Sequence, residues 1–183
     1  MLVASDSDRE CLAETVDLSI LRGDGNWPGY RSRLLFGETV FPVCAPEYLA
    51  ANPDISTLNR LQVHALIEVS STHTEWMTWT TWLQEMGIAT PELDQSASFN
   101  TYPLAVQAAV DGLGVALGWA HLVDHLLDSG ALVRPLGASN VRSDFGYYLL
   151  RPEKRKPFPE RNLVEDWLLK ASATRKRYGV RSA

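Results

Sequence analysis

The histidines are the side chains best suited to metal or acid–base chemistry, and their spacing carries no catalytic signature. His121 and His125 lie four residues apart, a spacing that can chelate a metal from one helix. A metal site needs three or four ligands, however, and no acidic partner motif accompanies this pair. His64 and His73 have no nucleophile motif beside them. We therefore expect no metal and no enzymatic activity, with a triad dispersed along the chain left as an open alternative.

The cysteines and glycines add no cofactor site. Cys11 and Cys44 are too few for a disulfide framework, which predicts reduced thiols and a cytoplasmic protein. The glycines of Gly23–Gly29 have the wrong spacing for a dinucleotide fingerprint. Those of Gly112–Gly118 lead from a helix into a strand, which is the reverse of the required context. We expect no nucleotide and no other cofactor.

Small polar residues at two predicted helix starts favour ligand binding. Ser70, Ser71 and Thr72 follow one predicted strand, and Asn100 and Thr101 follow the next. In doubly wound sheets, the carboxyl ends of strands and the amino ends of the following helices gather at one edge. Such an edge offers N–H groups, hydroxyls and a positive dipole end to a small carboxylate or amide. Plain helix capping is the alternative interpretation.

The pattern of elements indicates an α/β protein with mostly parallel sheets, because short β-rich runs alternate with helical patterns. Pro42 inside an extended passage favours an edge strand or a crossing between lobes. The predicted strands are Val16–Leu21, Leu34–Phe36 with Thr39–Cys44, His64–Val69, Ser96–Phe99, Leu113–Gly118, Ala131–Leu136 and Phe145–Leu150. The predicted helices start at Pro46, near Thr72, near Thr101, at Trp119 and at Arg161.

The helix predicted to start near Thr72 has an apolar face of Trp76, Trp79, Leu83 and Met86. Glu75 is placed as a capping-box partner of Thr72, and Gly87 ends the helix. Trp82 falls off the apolar stripe and is expected to be partly exposed. Trp76 and Trp79 are interpreted as core residues rather than as part of a ligand cage.

Charge is divided unevenly along the 183 residues, whose net charge is −5. Residues 1–133 carry 5 Lys/Arg against 17 Asp/Glu, and residues 134–183 carry 12 against 5. An acidic body argues against nucleic-acid binding by this chain itself, although a contact through the basic end stays open. No apolar run is long enough for a membrane span.

An ordered series of segments resembles the effector-binding domain of LysR-type transcriptional regulators, in the branch of the glycine-cleavage activator and the β-lactamase regulator. The segments cover nearly the whole chain and keep the family's order. They are Val16–Gly29, Leu35–Pro46, Trp79–Leu83, Ala105–Gly118, Gly130–Leu136, Tyr147–Leu149 and Asp166–Leu168.

The resemblance implies an α/β fold with two lobes, of the periplasmic-binding-protein-like type 2 kind, joined by two crossover segments. Lobe I would comprise residues 1–43 plus 141–170, and lobe II residues 44–140. Residues 171–183 would form a basic, disordered tail. Family members begin with a winged helix-turn-helix, and nothing in this sequence resembles one. The first β-α unit of lobe I is also missing, since Leu2–Ser5 is similar to that lobe's second strand. We therefore expect an incomplete lobe I and a truncated chain.

The resemblance also implies the binding residues and the partners. A small anionic or amphipathic effector would bind between the lobes. Control of transcription would pass through a DNA-binding head absent from this chain, and the full-length family forms dimers or tetramers. A stand-alone small-molecule binding protein of the same fold is the alternative. Arg22 would supply a cation for a carboxylate, or would pair with Asp17 or Asp24. The expected effector-binding residues are Arg22, Ser70, Ser71, Thr72, Asn100, Thr101, Tyr102, Gly118 and Trp119.

Overall fold

The computed structural model describes residues 2–3, 8–13, 15–70, 76–88, 95–155 and 158–175. Six strands and six α-helices make up the regular structure of these residues. The strands are β1 (Ser19–Gly23), β2 (Tyr30–Val43), β3 (Leu66–Val69), β4 (Gln95–Phe99), β5 (Val115–Trp119) and β6 (Val141–Pro152). The α-helices are α1 (Asp8–Cys11), α2 (Pro46–Ala51), α3 (Trp79–Glu85), α4 (Tyr102–Val110), α5 (Ala120–Ser129) and α6 (Pro159–Thr174). Two 3₁₀ turns, Pro53–Ser56 and Leu58–Val63, lie between α2 and β3.

The chain divides into two compact units. The first contains the described residues of Met1–Glu38 and Arg142–Lys176, and the second contains those of Thr39–Val141. Strand β2 contributes residues to both units, because the division falls between Glu38 and Thr39.

The first unit combines three neighbouring strands, of which β1 and β6 are antiparallel, with one long helix. Strand β6 lies between β1 and β2, and Ser19 of β1 pairs with Leu150 of β6. Helix α6 is attached to this sheet by polar contacts. Glu165 accepts a hydrogen bond from Arg151 at 3.0 Å, and Ser172 donates its hydroxyl to the carbonyl of Leu35. The buried apolar side chains of this unit are few and belong to the strands: Leu21, Leu35, Leu149 and Leu150.

Several large apolar side chains of the first unit are exposed. Trp167 and Leu163 on α6 are 66% and 69% exposed, and Leu34 on β2 is 53% exposed. Leu2 and Val3, which the sequence placed in a strand, are exposed and have no regular structure.

The second unit holds both clusters of buried apolar side chains found among the described residues. Its strand order is β2-β5-β3-β4, with β2 antiparallel to β5 and with β3 parallel to both β5 and β4. One cluster contains Trp79, Trp82 and Leu83 of α3, and the other contains the alanines of α4. Both faces of this sheet are therefore covered, as a parallel sheet requires.

Three expectations about the elements are corrected. The sheet is mixed rather than mostly parallel, because β1 and β2 pair antiparallel with β6 and β5. Ala131–Leu136 forms only an isolated bridge, between Val133 and Cys44, because turn residues follow directly. Helix α6 continues to Thr174, so residues 171–174 are helical rather than part of a tail.

Candidate functional site

The carboxyl ends of β3, β4 and β5 form one edge of the second unit. Val69 pairs with Phe99 in parallel register, and Ser70 donates its backbone N–H to the carbonyl of Phe99 at 2.8 Å. The Ser70 hydroxyl reaches the same carbonyl at 3.3 Å. This pairing places the exposed residues Ser70 and Asn100 side by side. Two of the predicted site residues are thus brought together by the register of two adjacent parallel strands.

Helix α4 begins at this edge and presents an unused hydroxyl. Thr101 occupies the N-cap position with extended backbone angles, and Pro103 lies in the first turn. The predicted side-chain cap is absent, because Thr101 makes no side-chain hydrogen bond to the first turn. Its exposed hydroxyl and the positive end of α4 therefore remain accessible to a ligand.

Tyr102 and Trp119 join α4 to the end of β5. The phenol oxygen of Tyr102 accepts the backbone N–H of Trp119 at 3.0 Å. The two rings lie edge to face with centroids 5.1 Å apart. Trp76 approaches the other side of this pair, with its ring centroid 6.3 Å from that of Trp119. Three aromatic side chains thus surround this end of the edge.

Gly118 is buried and tightly packed. It lies opposite Phe41 of β2 and is buried. A Cβ at Gly118 would come within 2.9 Å of Val43 and 3.1 Å of Val123. The close approach of α5 to the sheet therefore requires glycine at this position.

Helix α3 begins later than the sequence predicted. Ser71, Thr72 and Glu75 lie outside the described residues, and the described segment 76–78 is not helical. Thr78 is the N-cap, and its hydroxyl accepts the backbone N–H of Thr81 at 3.2 Å. Trp76 therefore precedes the helix and cannot belong to its apolar face. Gly87 follows the helix end with a φ of +75°, which confirms the predicted stop.

Trp82 is fully buried, so its expected partial exposure is wrong. Its indole N–H donates to the carbonyl of Val40 at 3.0 Å. The indole of Trp79 donates similarly to the carbonyl of Ile67 at 2.9 Å. The two rings of α3 thus pack against two different strands. The prediction failed because the apolar stripe was drawn through Trp76, which precedes the helix. The buried residues Trp79, Trp82 and Leu83 lie on one face of α3.

Glu68 was missed by the sequence analysis. It lies within the buried strand β3, and its Oε2 accepts the backbone N–H of Trp79 at 3.1 Å. Its Oε1 accepts the backbone N–H of Val69, also at 3.1 Å. Burial raises the pKa of this carboxyl, and the two hydrogen bonds oppose that rise. A charged residue inside an otherwise apolar run was the signal that could have found it.

A cavity of about 320 Å³ opens beside Glu68. It lies entirely within the second unit, since every described residue that lines it belongs to Thr39–Val141. The lining residues are Ile67, Glu68, Val69, Trp76, Met77, Thr78, Ala105, Ala116, Leu117 and Trp119. This size falls at the lower end of small-molecule pockets, roughly 300–1,000 Å³.

Arg22 lies in the first unit and forms a buried ion pair. Its Nε and one terminal nitrogen reach the two carboxylate oxygens of Glu38 at 2.6 and 2.9 Å. The side chain of Glu38 is fully buried, and it also accepts the hydroxyl of Ser143. The Arg22 guanidinium lies 4.4 Å from the ring centroid of Phe145. The sequence analysis considered Asp17 and Asp24 as partners and missed Glu38.

The environment of this pair extends to a tyrosine on β6. Burial and the neighbouring Glu38 charge raise the pKa of Tyr147, and the Arg22 charge opposes them. Tyr147 therefore stays protonated across the physiological range.

The histidines and cysteines form no reactive cluster in the part of the chain that the structure describes. No group of three or more His, Cys, Asp or Glu residues there is arranged to hold a metal. Both cysteines are free thiols, and burial raises the pKa of Cys44 to about 11. Among the described helices, none is long and apolar enough to cross a bilayer.

The sequence and the fold match one family of known proteins. The family model described as LysR substrate binding domain matches residues 3–173. The chain therefore belongs to the LysR substrate-binding domain family, and it has that family's periplasmic-binding-protein-like type 2 fold.

Its relatives are described as transcriptional regulators rather than enzymes. The glycine cleavage system transcriptional activator of Escherichia coli is 30% identical over 179 residues, which is 97% of this chain and 57% of the relative. The transcriptional activator AmpR of Providencia stuartii is 31% identical over 157 residues, covering 86% of this chain and 50% of the relative. This chain thus spans about half the length of these curated relatives.

A solved structure agrees with the same family. The effector domain of the transcriptional regulator AmpR of Pseudomonas aeruginosa is 30% identical, with a TM-score of 0.68. The match covers 87% of this chain and 73% of that domain.

Proposed function

We propose that this chain is the effector-sensing domain of a LysR-type transcriptional regulator and has no catalytic role. The observation that carries the proposal is the edge of the second unit. Exposed polar groups of Ser70, Asn100 and Thr101 lie there at the ends of adjacent strands, in the same unit as a cavity of ligand size. Family membership supports a regulatory rather than a transport role.

The proposal covers the site, the lobes and the partners. The two proposed lobes are residues 1–43 with 141–170 and residues 44–140. The division of the chain into two compact units supports two lobes, with its first boundary after Glu38 rather than after residue 43. A cytoplasmic location and self-association of the chain are further parts of the proposal. The proposed effector-contacting residues of the second unit are Ser70, Asn100, Thr101, Tyr102 and Trp119. Arg22 lies in the first unit, where it is paired with Glu38. An effector changes the output of the regulator only by binding one arrangement of the protein better than another.

A thermal-shift screen of amino acids, aromatic acids and cell-wall peptides tests binding directly. Any compound that raises the melting temperature is then titrated against Thr101→Val. Loss of one ligand hydrogen bond should weaken binding by about fivefold, since such a bond contributes about 1 kcal/mol.

The matched control is Thr57→Val. Thr57 is also an exposed N-cap threonine without a side-chain capping bond, but it precedes the second 3₁₀ turn. An unchanged affinity in Thr101→Val would place the pocket elsewhere. Equal losses in both variants would make the effect non-specific.

The proposed control of transcription is tested by measuring promoter activity. In a chimaera, this domain replaces the corresponding part of the E. coli glycine cleavage activator, and promoter activity is measured with and without the compound. We expect a compound-dependent change that Thr101→Val weakens. A compound that binds the domain but leaves promoter activity unchanged would favour a binding protein without a sensor role.

A further inference from the structure

The described lining of the cavity in the second unit contains one acidic side chain and no basic one. Among the described residues that line it, Glu68 is the single ionisable side chain, and the rest are apolar, aromatic or, at Thr78, hydroxyl-bearing. No Lys, Arg or His is among these lining residues. A carboxylate placed in this cavity would therefore be desolvated beside a second carboxyl, with no compensating cation among the described lining residues, which is strongly unfavourable.

The Glu68 carboxyl is fixed in position. Each of its oxygens accepts one backbone N–H, from Trp79 and from Val69, both at 3.1 Å. A carboxylate oxygen has a second lone pair, so each can accept a further hydrogen bond from the cavity side. Burial raises the pKa of this carboxyl, and a cation beside it would favour its charged form.

Two indole rings complete the wall. Trp76 and Trp119 both line the cavity, and their centroids are 6.3 Å apart. The face of an indole attracts a cation electrostatically, and the interaction strengthens when the cation is desolvated. Ile67, Ala105 and Leu117 supply an apolar surface for the rest of a ligand.

We propose that this cavity binds an apolar group that carries an ammonium or another cationic hydrogen-bond donor, with Glu68 as the acceptor. This inference rests on the proposed effector-binding function and specifies the chemical class of the effector. Of the two classes expected from the resemblance, it selects an amphipathic, amine-bearing molecule over an anion.

A matched pair of probes tests the charge preference on the intact chain. Phenethylammonium and hydrocinnamate have the same phenyl ring on short chains and differ in the charge of the head group. Binding is measured by tryptophan fluorescence and by calorimetry. We expect phenethylammonium to bind at least about tenfold more tightly, because a charge-assisted hydrogen bond contributes on that order.

Two variants identify the responsible group. Glu68→Gln keeps an acceptor and removes the charge, so the preference should fall to about threefold or less, on the same energetic scale. The matched control is Glu85→Gln, which removes an exposed carboxylate on α3 and should keep the preference.

Equal affinities, a preference for hydrocinnamate, or binding of neither probe would overturn this inference. The proposed sensor function would survive each of these results if another compound passed the screen and the chimaera test. If Glu68→Gln fails to fold, the affinities of the wild-type chain for the two probes still test the charge preference of the cavity.

Discussion

The backbone N–H of Trp119 is bound to the phenol oxygen of Tyr102, two residues that are 17 positions apart in the chain. This bond ties the last residue of β5 to the first residue of α4. Trp119 is buried, so little water can replace the bond if it is removed. The Tyr102 hydroxyl therefore helps to fix the position of the helix start relative to the strand end.

Tyr102→Phe should lower the free energy of unfolding by about 1–3 kcal/mol, because it leaves a buried backbone donor without an acceptor. Equilibrium urea denaturation measures the change. The near-UV circular dichroism of the tryptophans should also change, since the Trp119 ring packs on Tyr102. Unchanged stability would mean that the N–H of Trp119 finds another acceptor.

Arg22→Leu should destabilise the protein by about 3–5 kcal/mol, since removing one partner leaves an uncompensated buried charge on Glu38. The control is Arg60→Leu, which breaks an exposed pair with Asp54 at 3.3 Å and should cost about 1 kcal/mol or less. Both free energies of unfolding are measured in the same denaturant. Equal losses of stability in the two variants would show that burial does not make the Arg22–Glu38 pair more important than an exposed pair.

Gly114→Ala should also be destabilising. An added Cβ would lie 2.2 Å from the carbonyl oxygen of Ala65, which accepts the N–H of Val115. The backbone must shift to relieve this contact, at a cost of about 1–3 kcal/mol. Gly37→Ala is the control, because nothing lies within 4 Å of its added Cβ. A tolerated Gly114→Ala would show that β3 and β5 can separate locally.

The raised pKa of Glu68 predicts that the protein loses stability as the pH rises. Burial raises its pKa above the ordinary 4.5, so in the window above that value the folded protein binds more protons than the unfolded chain. Stability from this group is therefore lost as the pH rises through the window. The difference in free energy of unfolding between Glu68→Gln and wild type should therefore shift in favour of Glu68→Gln as the pH rises.

Unfolding curves of both proteins between acidic and neutral pH measure this difference. Glu85→Gln serves as the control, because its carboxylate is exposed on α3. Parallel pH profiles for wild type and Glu68→Gln would show that this carboxyl has no raised pKa.

Local patterns were sufficient for most elements of the second unit. Pro46 marked the start of α2, and Thr101 with Pro103 marked the start of α4. Glycines with left-handed backbone angles marked helix ends at Gly87 and Gly112. These features depend on residues within a few positions of each other, so the sequence shows them directly.

Patterns failed where burial depended on distant partners. Trp82 was expected to be partly exposed, because the apolar stripe was drawn through Trp76, which lies before α3. The sequence also could not show that Val40 would accept the indole N–H of Trp82. The strand expected at Ala131–Leu136 was reduced to one bridge between Val133 and Cys44, since the N–H of Leu132 is bound instead to the carbonyl of Leu126 in α5.

The sequence by itself determined the α/β class, the resemblance to LysR effector domains and the position of the polar residues Ser70, Asn100 and Thr101 after two of the strands. The tertiary structure decided that Glu68 lines a cavity with Trp76 and Trp119, and that Arg22 pairs with Glu38. The reason is physical: helix and strand formation follows short-range periodicity and capping. Which side chains meet in a buried site depends instead on strand register and helix packing between residues far apart in the chain.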